Sequence, residues 1–342
     1  MNNELTDREK TILRYIIEDF IQTANPIGSR YISKKTNINL SPATIRNVMS
    51  DLEDLNYITH PHTSGGRMPT DKGYRYFVNE LMDIEHLKSG EKAKIKKQID
   101  ELDLASDEIY KEISKILGRL TKEISIVSQP NFSKAILEKL ELVNISSNKV
   151  LVVVSIKSGF VRTLIFDVHS EISRDKLEKI SRILNERLSG LTLKEIKKTY
   201  KDRIGELQSE HTGIVKVFVD SIDKIFHDET DGMTLYVGGT LEILSQPEFG
   251  STQNYKNLIE LTDDKDVVIH VLNSIPTDEN GVAISIGEES KDDKMKDYSI
   301  ISTTYSIGDM SGKIALIGPK RMNYSKLVSW LNFTTDLIKE KL

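Results

Sequence analysis

Four polar residues in one short stretch carry donors and acceptors that can read DNA. Thr44, Arg46, Asn47 and Ser50 recur on one side of the segment LSPATIRNVMSDLEDL, which begins at Leu40. Arginine and asparagine pair with guanine and adenine edges in the major groove, and small neighbours let a helix approach the bases. We therefore predict a recognition helix, with Thr44, Arg46 and Asn47 facing base edges or flanking phosphates.

The residues around this set predict a helix with a defined start. Ser41 is a good N-cap, and Pro42 suits the first helical position, where a missing N–H costs nothing. The opposite face carries apolar residues at helical spacing, namely Ile45, Val48, Met49, Leu52 and Leu55. We count Ser41 and Ser50 among the residues expected at the DNA.

Two further helices are predicted upstream and a wing downstream. Thr6 and Glu9 have capping-box spacing before a helix that ends near Asn25-Pro26, and Ser29 is expected to cap a shorter helix that runs through Lys35. After the recognition helix, the sequence predicts a strand at 57–59, a Gly-Gly turn, a return at 67–68 and a fourth helix from Thr70. This order is that of a winged helix-turn-helix.

The other predicted DNA contacts lie on these flanking elements. Arg67 is placed on the wing, where it can reach a phosphate or a minor groove. The groups expected to position phosphates or to form a cationic edge are Ser29, Arg30, Thr63, Ser64, Lys72 and Arg75. In a winged helix used only for protein contacts, the alternative reading, these cations would have no role.

The charge balance requires that any DNA binding be local. The chain has 342 residues and a net charge of −5, which gives no general affinity for polyanions. Between Arg30 and Arg75 there are seven basic and four acidic residues, so this part carries +3. The length favours two or three domains.

The rest of the chain predicts a mixture of helices and strands. Residues 87–125 read as one or two amphipathic helices, which either pack on their own domain or meet a partner helix. The further helices are predicted at 174–188, 193–200, 214–226 and 324–341, and the strands at 150–156, 160–168, 233–237, 267–273, 281–286, 298–305 and 313–317. Helices that interrupt a strand-rich half indicate an α+β architecture with one domain inserted in another.

No enzyme, metal or cofactor site is predicted. His60 and His62 are two residues apart, but no cysteine or carboxylate pair accompanies them, which favours a polar wing rim over a metal site. Tyr236–Thr240, YVGGT, lacks the later Gly and Lys of a phosphate-binding loop and is interpreted as a strand end and turn. No catalytic set is apparent, there is no cysteine, and no apolar run could span a bilayer. We expect a soluble cytoplasmic protein that is not an enzyme.

These motifs together resemble one family. The run LSPATIRNVMSDLEDLNYITHPHTSGGRMPTDKGYRYFV is similar to the DNA-binding region of the heat-inducible transcription repressors, the HrcA family. Later segments are also similar to that family: LSQPEF at Leu244–Phe249, IGEE at Ile286–Glu289 and IGPKRMNY at Ile317–Tyr324. The departures, such as Pro42 and Lys320, concern fine sequence preference.

The resemblance implies a fold and a set of partners. It implies a winged helix-turn-helix at 1–86, a GAF-like α+β domain at 87–171 and 272–342, and an inserted dimerisation domain at 172–271. It further implies a homodimeric repressor that binds an inverted-repeat operator of chaperone operons. The GroE chaperonin would maintain its active form, so that heat or chaperonin titration relieves repression.

A second hypothesis concerns the C-terminal half. GAF-like folds often bind small ligands, so the alternative is a winged-helix regulator gated by a small molecule. Fold alone does not confer that function, and the sequence offers no convergent polar set for a ligand.

Overall fold

The chain forms two compact units in the structure, a computed structural model. The first unit holds Met1–Val127, Leu235–Thr303 and Ile314–Leu337, and the second holds the remaining segments, Ser128–Thr234, Thr304–Lys313 and Ile338–Leu342. The residues that the structure describes are 5–35, 40–61, 65–102, 108–157, 159, 161–168, 172–204, 234–277, 281–290 and 292–341.

A winged helix-turn-helix opens the first unit, as predicted. Its elements are α1 (Asp7–Thr23), α2 (Ser29–Lys35), α3 (Pro42–Asp54), β1 (Ile58–Thr59), β2 (Met68–Pro69) and α4 (Asp71–Tyr76). Thr6 and Glu9 form the predicted capping box, because each side chain accepts a hydrogen bond from the other residue's backbone. Strands β1 and β2 pair antiparallel, and a bridge between Ile27 and Arg67 adds a third strand position. Strand β1 is one residue shorter than the predicted 57–59, and β2 begins one residue later than the predicted return at 67–68.

Two helices and a strand follow the winged helix. They are α5 (Ser89–Asp100), α6 (Ile109–Thr121) and β3 (Ile124–Ser128). Both helices pack in one apolar cluster with Trp330 and Leu337 of the C-terminal segment, so they belong to the core of the first unit. The prediction that carried the helix to residue 125 is wrong at its end. Lys122 adopts a left-handed φ of 60°, which ends α6, and all five residues of β3 are buried.

The second unit contains a three-stranded antiparallel sheet. Its elements are β4 (Leu137–Ser146), β5 (Lys149–Ile156), β6 (Val161–Asp167), α7 (Arg174–Leu188) and α8 (Leu193–Ile204). The side-chain amide of Asn185 on α7 donates 2.6 Å to the carbonyl of Leu140 and accepts 2.7 Å from its N–H. Helix α7 thereby pairs backbone groups on the outer edge of β4. The helix predicted at 214–226 lies outside the described residues.

The remaining elements lie mainly in the first unit. They are β7 (Leu235–Gly238), α9 (Thr252–Asp263), α10 (Lys265–Ser274), β8 (Val282–Ile286), β9 (Tyr298–Ile307), β10 (Met310–Pro319) and α11 (Tyr324–Lys341). The sheet has the strand order β7-β3-β10-β9-β8. In the described part of the chain, no helix combines the length and apolar character that a membrane crossing requires.

The strand predicted at 267–273 is wrong, because this segment is helix α10. The β-branched run VVIHVL favours a strand by composition, yet Val268, Val271 and Leu272 are buried at helical spacing. Asp264 caps the helix, its side chain accepting from the N–H of Val267 at 3.4 Å. Burial on one side and an N-cap outweigh β propensity here.

The glycine pair of YVGGT makes a helix contact. A methyl group on Gly118 of α6 would lie 2.4 Å from the N and Cα of Gly239, and one on Gly238 would lie 2.3 Å from the carbonyl oxygen of Ser114. The segment is a strand end and turn that lets β7 approach the backbone of α6.

Candidate nucleic-acid interface

The recognition helix α3 begins at the predicted cap. The Ser41 hydroxyl accepts a hydrogen bond from the N–H of Thr44 at 3.1 Å and lies 2.9 Å from the Thr44 hydroxyl. Pro42 takes the first helical position. Ser41 and Thr44 therefore hold the start of the helix that carries the other polar residues.

The exposed face of α3 is the one that the sequence predicts. Ile45, Val48, Met49 and Leu52 are buried, which turns Arg46, Asn47 and Ser50 to solvent. Among the described residues, these three side chains make no hydrogen bond or ion pair. Their donors and acceptors are free to meet base edges or phosphates.

Helix α2 presents a further cation among the predicted DNA contacts. Arg30 is exposed, and Ser29, the first residue of the helix, is half-buried. Lys35 at the other end pairs with Asp19, which is buried in α1, so α2 is held to α1 by charge as well as by the buried Ile32.

The wing is tied to α3 by an ion pair that the sequence did not predict. The Nε of Arg67 donates to Oε2 of Glu53 at 2.8 Å, and His60 Nδ1 lies 2.5 Å from Oε1 of the same carboxylate. Partial burial opposes the ionisation of Glu53, but the hydrogen bonds and charges of His60 and Arg67 outweigh it and lower the pKa of the carboxyl group. Thr63, Ser64 and His62 lie outside the described residues.

Two of the predicted cations occupy structural positions. The ammonium group of Lys72 donates to the carbonyl of Leu55 at 2.8 Å and lies 4.3 Å from the ring centroid of Tyr57. It therefore caps the C-terminus of α3, where positive charge is favourable. Arg75 donates from Nε to Glu289 at 2.6 Å and from Nη2 to the carbonyl of Ile284 at 2.8 Å.

The structure thus separates the predicted cations and the exposed polar residues of α3 into three groups. Arg46, Asn47, Ser50 and Arg30 are exposed on α2 and α3, whereas Arg67 and Lys72 brace the wing and α3. Arg75 contacts strand β8. Sequence reasoning missed Glu53, and its only local signal is its position near the end of α3, where it can face the returning wing.

Comparison with known proteins gives matches along nearly the whole chain. A family profile described as "Winged helix-turn-helix transcription repressor, HrcA DNA-binding" matches residues 4–83, and one described as "HrcA protein C terminal domain" matches residues 107–328. Two relatives are each named "Heat-inducible transcription repressor HrcA". The one from Chlorobium phaeobacteroides (strain BS1) is 37% identical over 351 residues, which covers 100% of this chain and 99% of that protein. The one from Chlorobaculum parvum (strain DSM 263 / NCIMB 8327) is 40% identical over 349 residues, which covers 99% of this chain and 98% of that protein.

A solved structure shares the fold. It is described as a crystal structure of a hypothetical protein, and it is similar with a TM-score of 0.66 and 23% identity over 98% of both chains. At this identity the likeness concerns the fold alone.

Proposed function

We propose a function from the fact that this chain belongs to the HrcA family of heat-inducible transcription repressors. It represses transcription by binding an inverted-repeat operator as a homodimer. The observation that carries the proposal is the exposed face of α3. On this face, Arg46, Asn47 and Ser50 have no hydrogen-bond or ion-pair partner among the described residues. The opposite face of the helix carries its buried apolar residues. Such a face suits the major groove.

We assign base contacts to Arg46 and Asn47, because both side chains can form paired hydrogen bonds to one base edge. Arg30, Ser29 and Ser50 are proposed phosphate contacts, together with Ser41 and Thr44 at the helix start and Thr63 and Ser64 on the wing. Arg67 and Lys72 act mainly by bracing the wing and α3, and each retains a charge close to the proposed phosphate path.

The homodimer is supported by the outer face of the second unit's sheet, which precedes the proposed dimerisation domain in sequence and would add to its interface. Val143, Leu151 and Ile165 lie side by side in register across β4, β5 and β6. Val143 is 44% exposed and Ile165 is 59% exposed, and Val161 on the same face is 53% exposed. A row of exposed apolar side chains is a typical self-association surface, and a two-fold dimer matches an inverted repeat.

The domain division and the biological setting remain part of the proposal. We divide the chain into a winged helix at 1–86, a GAF-like domain at 87–171 and 272–342, and an inserted dimerisation domain at 172–271. The operator would control chaperone operons in the cytoplasm. The GroE chaperonin would maintain the active form, so that heat or competing client proteins relieve repression.

The test is a selection of bound DNA from a random duplex library by the full chain, repeated with and without chaperonin. We expect an inverted repeat whose half-sites lie about one helical turn or a multiple of it apart. Recovery of unrelated sequences, or of a single half-site, would contradict the homodimeric repressor. If the yield of DNA-binding protein is the same with and without the chaperonin, the chaperonin is not a partner.

A cavity favours the second candidate, a ligand-gated regulator. It has a volume of about 900 Å³ in the first unit and is lined by Arg75, Met82, Ile275, Ile284 and Val328, among others. That volume is within the range of small-molecule sites. A thermal-shift screen of nucleotides and amino acids on the full chain tests it, since a ligand at one hundred times its Kd stabilises by about 2.7 kcal/mol.

A further inference from the structure

Four distant segments of the first unit meet at the winged helix and form one polar network. They are α4, the turn after β8, the turn after β10 and the segment 246–248 that follows β7. The rings of Tyr74 and Tyr324 meet at this junction, and the hydroxyls of Ser325 and Ser329 donate to the carbonyls of Asp83 and Glu85. Three charged residues, Asp71, Arg75 and Arg321, make further contacts that join the winged helix to the rest of the unit. We call these contacts the polar hold.

Arg75 makes the most extensive contact of the polar hold. Its Nε donates 2.6 Å to Oε1 of Glu289, and its Nη2 donates to Oε2 of the same carboxylate and 2.8 Å to the carbonyl of Ile284. The two side chains are only 30% and 33% exposed, so water screens this forked pair weakly. The Arg75 guanidinium therefore fixes α4 against strand β8 and the turn after it.

Asp71 joins the first turn of α4 to two other segments. Its Oδ1 lies 2.8 Å from the ammonium group of Lys320, and its Oδ2 accepts from the N–H of Glu288 at 3.0 Å. A methyl group on Gly287 would lie 2.1 Å from Oδ2, so the turn after β8 approaches this carboxylate at the backbone. Asp71 is thus held by an ion pair with Lys320 and by the close approach of the backbone at Gly287.

Arg321 reaches the end of α1. Its Nη1 donates 3.0 Å to the carbonyl of Ile21, in the last turn of a helix that has no basic residue there. The same guanidinium donates to both oxygens of Glu248 and, at 2.8 Å, to the side-chain oxygen of Gln246. It is only 11% exposed. Arg321 thus places a positive charge at the C-terminus of α1, where a cation is favourable. Arg321 itself lies in the turn after β10, outside the winged helix.

We infer that Asp71, Arg75 and Arg321 are positioning residues for operator recognition: they set the angle at which the winged helix is held, and hence the spacing of the two recognition helices in a dimer. The inference rests on the proposed homodimeric repressor. When one subunit is bound to its half-site, the second half-site adds affinity only if the recognition helix of the other subunit is held over it. Loosening the polar hold should remove that gain and leave the contacts of each single winged helix unchanged.

The first experiment compares two DNA duplexes, the full inverted repeat and a single half-site, with the full-length chain. For Arg75→Glu we expect binding to the full repeat to weaken by about tenfold or more, with half-site binding within about twofold of the unmodified chain. An equal loss of affinity on both duplexes, or no loss on either, would overturn the inference.

Glu289→Gln separates positioning from a direct DNA contact by Arg75. If Arg75 bound DNA, removing the neighbouring negative charge would leave binding unchanged or strengthen it. The polar hold predicts instead a selective loss on the full repeat. The matched control is Glu112→Gln, which removes a carboxylate paired with Lys115 at 2.6 Å within α6 and should leave both duplexes unaffected. Should Arg75→Glu fail to fold, Glu289→Gln and Lys320→Gln carry the same comparison.

A second readout needs no DNA and therefore distinguishes this inference from the proposed function. The chain has no cysteine, so Arg8→Cys on α1 and Lys256→Cys on α9 accept one spin label each. We expect Arg75→Glu to broaden the distance distribution between the two labels, and Glu112→Gln to leave it narrow. An unchanged distribution would overturn the polar hold. Failure of the unmodified chain to select an inverted repeat would instead contradict the homodimeric repressor.

Discussion

Single residues show which of the basic side chains are available to DNA. Arg46 is exposed without a partner among the described residues, whereas Arg67, Lys72 and Arg75 are each bound to the protein. The basic side chains that are free to meet DNA are therefore fewer than the seven counted between Arg30 and Arg75. Specific contacts depend on few residues, and Arg46 is the first of them.

Replacing Arg46 with alanine should weaken operator binding by about 1 to 3 kcal/mol, because a forked contact to a base is lost. The sequence preference at that position should relax, and binding to random duplex should fall less. Equilibrium binding to both duplexes at one salt concentration measures this. Arg119→Ala, which removes an exposed arginine from α6, is the control. Equal losses on operator and random duplex would rule out a base contact.

Glu123 is predicted to make stability depend on pH. It is 4% exposed, its Oε1 accepts from Gln246 at 2.9 Å, and its Oε2 has no hydrogen-bond partner among the described residues. Burial raises the pKa of this carboxyl group well above its ordinary value of 4.5. As pH rises above that value, the unfolded chain releases the proton while the folded chain retains it, so stability falls by up to about 1.4 kcal/mol per pH unit until the folded pKa is reached.

Glu123→Gln should remove this contribution and stabilise the protein at neutral pH. Denaturant unfolding midpoints at intervals between acidic and neutral pH measure the slope. If both proteins lose stability equally as pH rises, Glu123 is ionised in the folded state and the prediction is wrong.

At the scale of elements, close backbone contacts decide how helices meet the sheet. Helix α6 approaches the end of β7 through Gly118, Gly238 and Gly239, and Gly239 also has a positive φ of 82°. Neither helix nor strand propensity predicts such a contact. Helix α6 also shares one apolar cluster with α5 and Trp330.

Gly118→Ala should destabilise the protein by about 3 kcal/mol, because the new methyl group overlaps backbone atoms that cannot rotate away. Gly90→Ala is the matched control, since a methyl group on this helical glycine would meet no described atom within 4 Å. Alanine there should stabilise the protein by about 0.5 kcal/mol. Thermal and denaturant unfolding of both variants measures the difference. Similar stabilities would show that α6 shifts at little cost.

For the whole molecule, the net charge of −5 keeps nonspecific DNA binding weak. One winged helix reads few base pairs, so useful affinity requires two of them on one operator. The proposed dimer surface on β4–β6 and the polar hold serve that requirement at different places. The first brings two chains together, and the second orients each recognition helix.

Ile165→Lys should weaken the dimer by at least tenfold, or about 1.4 kcal/mol, because it places a charge in the proposed apolar interface. Sedimentation equilibrium measures the dimer, and operator binding should weaken in parallel while half-site binding persists. Ile84→Lys changes a side chain that is 43% exposed in the segment 1–86 and should have no effect on association. A dimer of unchanged strength would move the interface away from this sheet.

The sequence by itself determined the elements whose causes are local. Caps at Thr6, Ser41 and Thr70, an apolar period and a Gly-Gly turn define the winged helix, since each signal acts over a few residues. Only the tertiary structure decided which polar groups remain free. Arg75 and Glu289 are 214 residues apart, and no pattern in the chain pairs them. Whether a charged side chain is paired or free depends on the segments that pack against it in the folded chain. The elements of the winged helix could therefore be predicted from sequence, whereas the residues that hold it in place could not.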